Sequence, residues 1–398
     1  MKILLNLHPL ARAGAGIAVY TQRLLMELVH FRDLDEVAGF LGTRVLSGDE
    51  LRLWLSGFDN QTEKRVKEGV KSSPLMIDAV RRAARSIPGM YELRYQLRNI
   101  ASQFALNKFA QAGFIYHEPN YIPTRYSGKQ VIAVHDLSHI RYPDFHPAER
   151  VAFLNRHLKR AIGLADFVLT DSVFVKDEIL DVFPVSGEKI VVTHLGVDEA
   201  FHPRPEVETL NTLRQFNLSY RGFVLSVGTL EPRKNLERLL NAYGALPEGV
   251  RRDYPLVLAG GGGWNDSDLQ RQIQQMERRG EVIRTGYLPR SQLLDLYASA
   301  AVFAYPSIYE GFGLPVLEGF ASGTPVLTSN VTSMPEVSGG AALEVNPLSV
   351  DEIRHGLFSL LDDSSLRSRY MQLGLERVQA FTWAKCAEQT MAVYKQLG

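Results

Sequence analysis

Ala301-Val302-Phe303-Ala304-Tyr305, followed by Pro306-Ser307-Ile308-Tyr309-Glu310-Gly311-Phe312-Gly313-Leu314-Pro315-Val316-Leu317-Glu318, reads as a buried strand, a glycine-rich turn and the start of a helix. A short apolar run suits a parallel strand covered on both faces, and a helix after it suits a crossover connection. Gly311 and Gly313 let backbone amides approach a ligand without a Cβ in the way. Pro315 fits a first helical turn, whose free N–H groups and positive dipole end attract phosphate. Glu310 falls before that helix and Glu318 about one turn into it. Ionised carboxylates accept hydrogen bonds only, which suits polyol recognition. The spacing alone fits a plain turn equally well, with Glu310 as a dipole partner and Glu318 exposed.

The same alternation extends in both directions. Strands are expected near 2–7, 37–42, 113–117, 130–134, 166–170 and 189–193, then near 222–228, 255–260, 281–285, 301–305, 324–328 and 341–345. Strands separated by helical-period segments predict an α/β chain with parallel sheets. Its 398 residues exceed one ordinary core, so two domains are expected. Phe201-His202-Pro203-Arg204-Pro205 interrupts the alternation and is the candidate linker. The expected division is 1–200, 201–381 and a helix, 382–398, that packs back on the first domain.

Val227-Gly228-Thr229-Leu230-Glu231-Pro232-Arg233-Lys234-Asn235-Leu236 repeats the strand, turn and helix start. Arg233 and Lys234 at a helix N-terminus oppose the dipole, which asks for an anion nearby. A diphosphate meets that need, and the two cations would stabilise charge growing on a leaving group. Two solvated surface charges are the alternative. Gly14-Ala15-Gly16 forms a small-residue loop after the first strand, but Val19 and the lack of a ribose-binding acid make it a weak dinucleotide fingerprint. In Val131-Ile132-Ala133-Val134-His135-Asp136, His135 is placed to meet a sugar hydroxyl with Asp136 orienting it, or else is a satisfied core histidine. His139 and His146 follow no metal-ligand spacing. Asp33-Leu34-Asp35 and Asp266-Ser267-Asp268 are better read as ordinary acids and a helix cap than as metal ligands. Gly260-Gly261-Gly262-Gly263-Trp264 is either a loop near the nucleotide or a simple turn.

Composition excludes several classes. With 44 basic and 44 acidic side chains and no net charge, nucleic acid is not an expected partner. Cys386 is the only cysteine, so an internal disulfide is impossible and a reducing, cytoplasmic setting is expected. The N-terminal apolar run is too short for a signal peptide or a membrane span. Residues 64–108 carry ten Lys or Arg against three acids. Interleaved apolar residues make this region either a solvated face or a contact with an anionic inner leaflet.

These motifs together resemble the GT-B glycosyltransferases of family 4, the group 1 glycosyltransferases, over nearly the whole chain and most strongly over about 222–345. The family's Glu-x7-Glu signature appears as Glu310 to Glu318 and its basic pair as Arg233 and Lys234. The resemblance implies that Glu310 contacts the donor sugar, Glu318 the ribose, and Gly311, Phe312, Gly313 and Leu314 the sugar through the turn. Gly228 would stand at the donor. Gly14 and Gly16 match the family's N-terminal glycine loop, although Ala15 separates them, and His135 matches its N-domain histidine. Two Rossmann-like domains facing across a cleft are implied, with retention at the anomeric carbon, no cofactor and no metal. The donor would be a nucleotide-diphosphate sugar, first of all GDP-mannose, with UDP and dTDP sugars open. The acceptor would be a glycan or lipid-linked glycan of bacterial surface polysaccharide synthesis. Alternatives are a nucleotide-sugar 2-epimerase and a non-catalytic nucleotide-sugar-binding subunit; a dehydrogenase ranks last.

Overall fold

The computed structural model describes residues 1–11, 16–57, 89–261 and 267–398. Gly14, the first seven basic residues of the 64–108 region, Gly262 to Trp264 and Asp266 lie outside the described residues. The chain divides into two compact units, Met1–Leu195 with Trp383–Gly398, and Gly196–Thr382.

Among the described residues the first unit holds a seven-stranded sheet in the order β3-β2-β1-β4-β5-β6-β7. The strands are β1 (Lys2–Asn6), β2 (Glu36–Leu41), β3 (Arg44–Ser47), β4 (Phe114–Glu118), β5 (Gln130–Ala133), β6 (Phe167–Thr170) and β7 (Ile190–Val192). All pairs are parallel except β2 with β3. Strand β3 was not expected from the sequence: it is a short return along the sheet edge with one buried side chain, Leu46. Helix Trp383–Leu397 packs on helix Gly16–Leu28 and buries Cys386, Met391 and Tyr394 in this unit.

Among the described residues the second unit holds six parallel strands in the order β10-β9-β8-β11-β12-β13. They are β8 (Val224–Val227), β9 (Leu256–Ala259), β10 (Val282–Gly286), β11 (Val302–Tyr305), β12 (Val326–Ser329) and β13 (Leu343–Val345). Helices Leu236–Gly244 and Val350–Asp362 cover one face, setting Leu239, Tyr243, Leu357 and Leu360 against Val224, Val302 and Leu327. Burying such apolar area is the dominant favourable term in folding. The unit begins at Gly196, earlier than the prolines. Phe201 packs edge-on against Tyr297 at 5.4 Å, and Arg204 pairs with Asp295 at 2.8 Å. Prolines restrict the backbone there, yet Phe201 before them and Arg204 between them find partners inside this unit, so the segment is not a free linker.

In each sheet the strand order reverses once, between β1 and β4 and between β8 and β11. Such a switch point leaves a crevice at the carboxyl ends of the two strands, where open α/β sheets bind ligands.

Candidate functional site

The two loops that open from the second unit's switch point carry the two chemical motifs. From β8 the chain runs through Gly228 and Thr229 into a short 3-10 turn, Pro232–Lys234, and then helix Leu236–Gly244. Arg233 and Lys234 therefore sit one turn before the helix rather than in it. From β11 it runs through Ser307 and Glu310 to Gly313, which starts helix Leu314–Ala321 with φ 112°. A Cβ at Gly313 would collide with the Met334 methyl, so the turn requires glycine on both counts.

Hydrogen bonds tie the loops to each other. Ile308 N–H donates to the Arg233 carbonyl at 2.8 Å. Asn235, in the left-handed region at φ 61°, donates its amide to the carbonyls of Pro306 at 2.9 Å and Pro347 at 2.6 Å. Ser333 donates to the carbonyls of Glu310 and Phe312 at 2.8 and 2.9 Å, pinning the glycine turn from below.

At the centre lies a buried charge cluster. Arg233 Nη1 meets Glu310 Oε2 at 2.6 Å, and Lys234 Nζ meets Glu310 Oε1 at 2.7 Å. The Tyr305 hydroxyl donates to Glu310 Oε1 at 2.9 Å and also contacts Lys234 Nζ. On the other side Glu231 accepts from Arg233 Nε at 2.9 Å and from the Thr229 hydroxyl at 2.7 Å. Burial raises the Glu310 pKa, but Arg233 and Lys234 outweigh it and bring it down to about 2. Burial lowers the Lys234 pKa, with Glu310 opposing it. The anion that the adjacent cations ask for is thus supplied within the unit by Glu310 and Glu231. Lys234 also lines a cavity of about 280 Å³ with Gly228, Thr229, Gly260, Arg284 and Tyr305. Glu318 stands in the fifth position of its helix, half-buried, its carboxyl pushed above the usual value by burial. Phe312 is turned inward against Phe381, and Leu314 is the first helical residue.

His135 follows β5 in the first unit, 8% exposed. Its partner is Asp171, at 2.8 Å from Nδ1, rather than Asp136, which instead accepts from the backbone and hydroxyl of Ser138 at 3.0 and 2.7 Å. Nε2 faces the Pro119 carbonyl at 2.9 Å. Two acceptors facing both ring nitrogens require both to donate, which is the imidazolium form. Burial works against that charge, but Asp171 outweighs it and raises the His135 pKa. Gly16 is exposed at the start of helix Gly16–Leu28. Asp33 pairs with Lys395 at 2.6 Å, and Asp35 with the terminal amino group. Among the described residues no group of His, Cys, Asp and Glu has metal-site geometry.

Sequence reading placed Arg233, Lys234 and Glu310 but missed Tyr305, Asn235 and Ser333. Tyr305 is legible afterwards as the polar end of an apolar strand, and Asn235 as a residue suited to left-handed backbone before a helix. Ser333 has no local signal.

A family model described as "Glycosyl transferases group 1" matches residues 213–377. The chain is 35% identical over 400 residues to "O-antigen chain mannosyltransferase B" of Escherichia coli, covering 100% of both. It is 27% identical to "O-antigen chain mannosyltransferase RfbU" of Salmonella typhimurium, covering 87% of both. Among solved structures, Anabaena HepE in complex with UDP and glucose superposes over 100% of both chains with a TM-score of 0.65 at 16% identity. Full-length identity of this size, the matched second unit and a shared GT-B fold agree with the motifs at the β8–β11 switch point, and the chain belongs to the group 1 glycosyltransferases.

Proposed function

We propose that the chain moves a mannosyl residue from GDP-mannose to a lipid-linked glycan, with retention at the anomeric carbon and without a metal, at the cytoplasmic face of the inner membrane. The observation that carries this reading is the cluster of Arg233, Lys234, Glu310 and Tyr305 beside the 280 Å³ cavity at the β8–β11 switch point. The mannosyltransferases among its relatives supply the sugar and the O-antigen setting.

The charge arrangement suggests how the site works. Glu310 bridges Arg233 and Lys234, and Glu231 pairs with Arg233 from the other side. An incoming diphosphate offers Arg233 and Lys234 a doubly charged partner with bidentate geometry. Releasing Glu310 then frees an ionised carboxylate to accept hydrogen bonds from sugar hydroxyls. As the bond from the anomeric carbon to the phosphate oxygen breaks, charge grows on the diphosphate, and two fixed cations stabilise it. The leaving oxygen takes the proton of the acceptor hydroxyl, whose oxygen forms the new bond on the same face. The cavity beyond Lys234 receives the nucleoside.

Incubation with GDP-mannose, UDP-glucose or dTDP-glucose and a prenyl-diphosphate-linked glycan, with NMR of the product, tests the reading. Transfer from GDP-mannose giving an α-mannoside is expected. Turnover of Lys234→Ala falls on the order of 100-fold, as for loss of one oxyanion donor. An inverted anomer, an unchanged variant or strict use of another base overturns it.

A further inference from the structure

Helix Met90–Gln111 in the first unit buries Asn99, Ser102 and Leu106 on one side. On the opposite side Leu93, Leu97, Ile100 and Phe104 are 52%, 57%, 75% and 88% exposed. At 100° per residue these four fall within an arc of about 60°, a continuous apolar stripe. Scattered exposed apolar residues need no account, but a stripe of four along one helix marks an interaction surface.

The charges beside the stripe identify its partner. Arg94 and Lys108 are exposed on its flank. The helix's one acid, Glu92, lies off the stripe and is taken by His157 at 2.6 Å and by Gln96 at 2.7 Å. In the sequence, residues 64–108 hold ten basic and three acidic side chains, which leaves 34 basic against 41 acidic elsewhere in a chain of no net charge. In sequence, then, the chain's excess of positive charge falls within and just ahead of this helix, and the rest of the chain is acidic. A protein partner of acidic character would satisfy the charge but not a straight row of leucine, isoleucine and phenylalanine with arginine and lysine at its side. That combination suits a helix lying in the plane of a bilayer, apolar side chains at the acyl boundary and basic heads reaching anionic headgroups.

We propose that the exposed face of helix Met90–Gln111 docks the chain on an anionic lipid bilayer, with Leu93, Leu97, Ile100 and Phe104 inserted and Arg94 and Lys108 on the headgroups. The inference rests on the proposed function only in its purpose, which is to bring the enzyme to an acceptor carried in that bilayer. Binding itself involves neither donor nor acceptor.

The test is sedimentation of the full chain with vesicles of phosphatidylcholine alone or mixed with phosphatidylglycerol, with no substrate present. The parent is expected to bind the mixed vesicles, weakly the neutral ones, and less at high salt. Leu97→Glu with Phe104→Glu should lower binding at least roughly 10-fold, since both inserted side chains become charged. Arg94→Glu with Lys108→Glu should abolish the preference for phosphatidylglycerol while leaving the stripe intact. Should the glutamate pair melt well below the parent, Leu97→Ala with Phe104→Ala replaces it and is expected to weaken binding. Absence of parent binding, or variants that bind as the parent does, overturns the proposal. So does a parent dimer, seen by light scattering, that only the stripe variants dissociate. Transfer to a water-soluble acceptor should persist in every variant. Its loss in the parent would count against the transferase reading and leave the vesicle result standing.

Discussion

Glu310 couples the site's chemistry to acid stability. Its carboxyl sits at about 2 in the folded chain against an ordinary 4.5. A depressed carboxylate contributes stability above its unfolded pKa and loses it as pH falls toward the folded one. The contribution, of order 3 kcal/mol, is complete above pH 4.5 and disappears between pH 4.5 and 2. Urea unfolding at pH 7, 4.5 and 3 should show this loss in the parent and a shallower slope in Glu310→Gln; equal slopes would reject it. The sequence presented Arg233 and Lys234 as a basic pair at a helix start that asks for an anion, and Glu310 as a hydrogen-bond acceptor before a second helix. That they pair with each other was not legible, because the contact joins loops from two strands whose adjacency is a property of the sheet.

At the scale of elements, the site depends on how close two strand ends can come. Gly260, after β9, has φ 144°, and a Cβ there would collide with the Gly228 carbonyl oxygen. Neither backbone can yield without moving the turn that carries Lys234. Gly260→Ala should therefore cost at least about 2 kcal/mol, read as a lowered melting temperature, and should weaken donor binding more than a loop substitution elsewhere. A parent-like melt and affinity would show that the two turns are independent. Most strands were legible because central parallel strands are unbroken runs of Val, Leu, Ile and Phe, as in Leu256-Val257-Leu258-Ala259. Strand β3 was not: Arg44-Val45-Leu46-Ser47 buries a single residue at an edge, so it has no long apolar run to betray it. The 3-10 turn at Pro232–Lys234 was likewise hidden, since helix and 3-10 share the same local preferences and only Asn235 in the left-handed region separates them.

For the whole molecule, helix Trp383–Leu397 is a core element of the first unit although it follows the second in sequence. It buries Cys386, Ala387, Met391, Val393 and Tyr394, and the Tyr394 hydroxyl meets His117 Nδ1 at 2.6 Å. Ending the chain after Thr382 would strip this apolar surface and leave His117 without that partner. Such a truncation is expected to melt roughly 10 °C or more below the parent, or to be recovered as aggregate. A melt within about 2 °C would show that the helix adds little. The sequence predicts a helix at 382–398 that packs back on the first domain, whereas the side chains it buries there are a matter of tertiary packing. The second unit is, in consequence, an insertion rather than an appended half. Exchanging it whole between relatives takes two splices, near 195/196 and 382/383, so that the host keeps its own closing helix. A chimera made by one crossover would bring in a foreign helix to seal a core whose other walls never evolved with it.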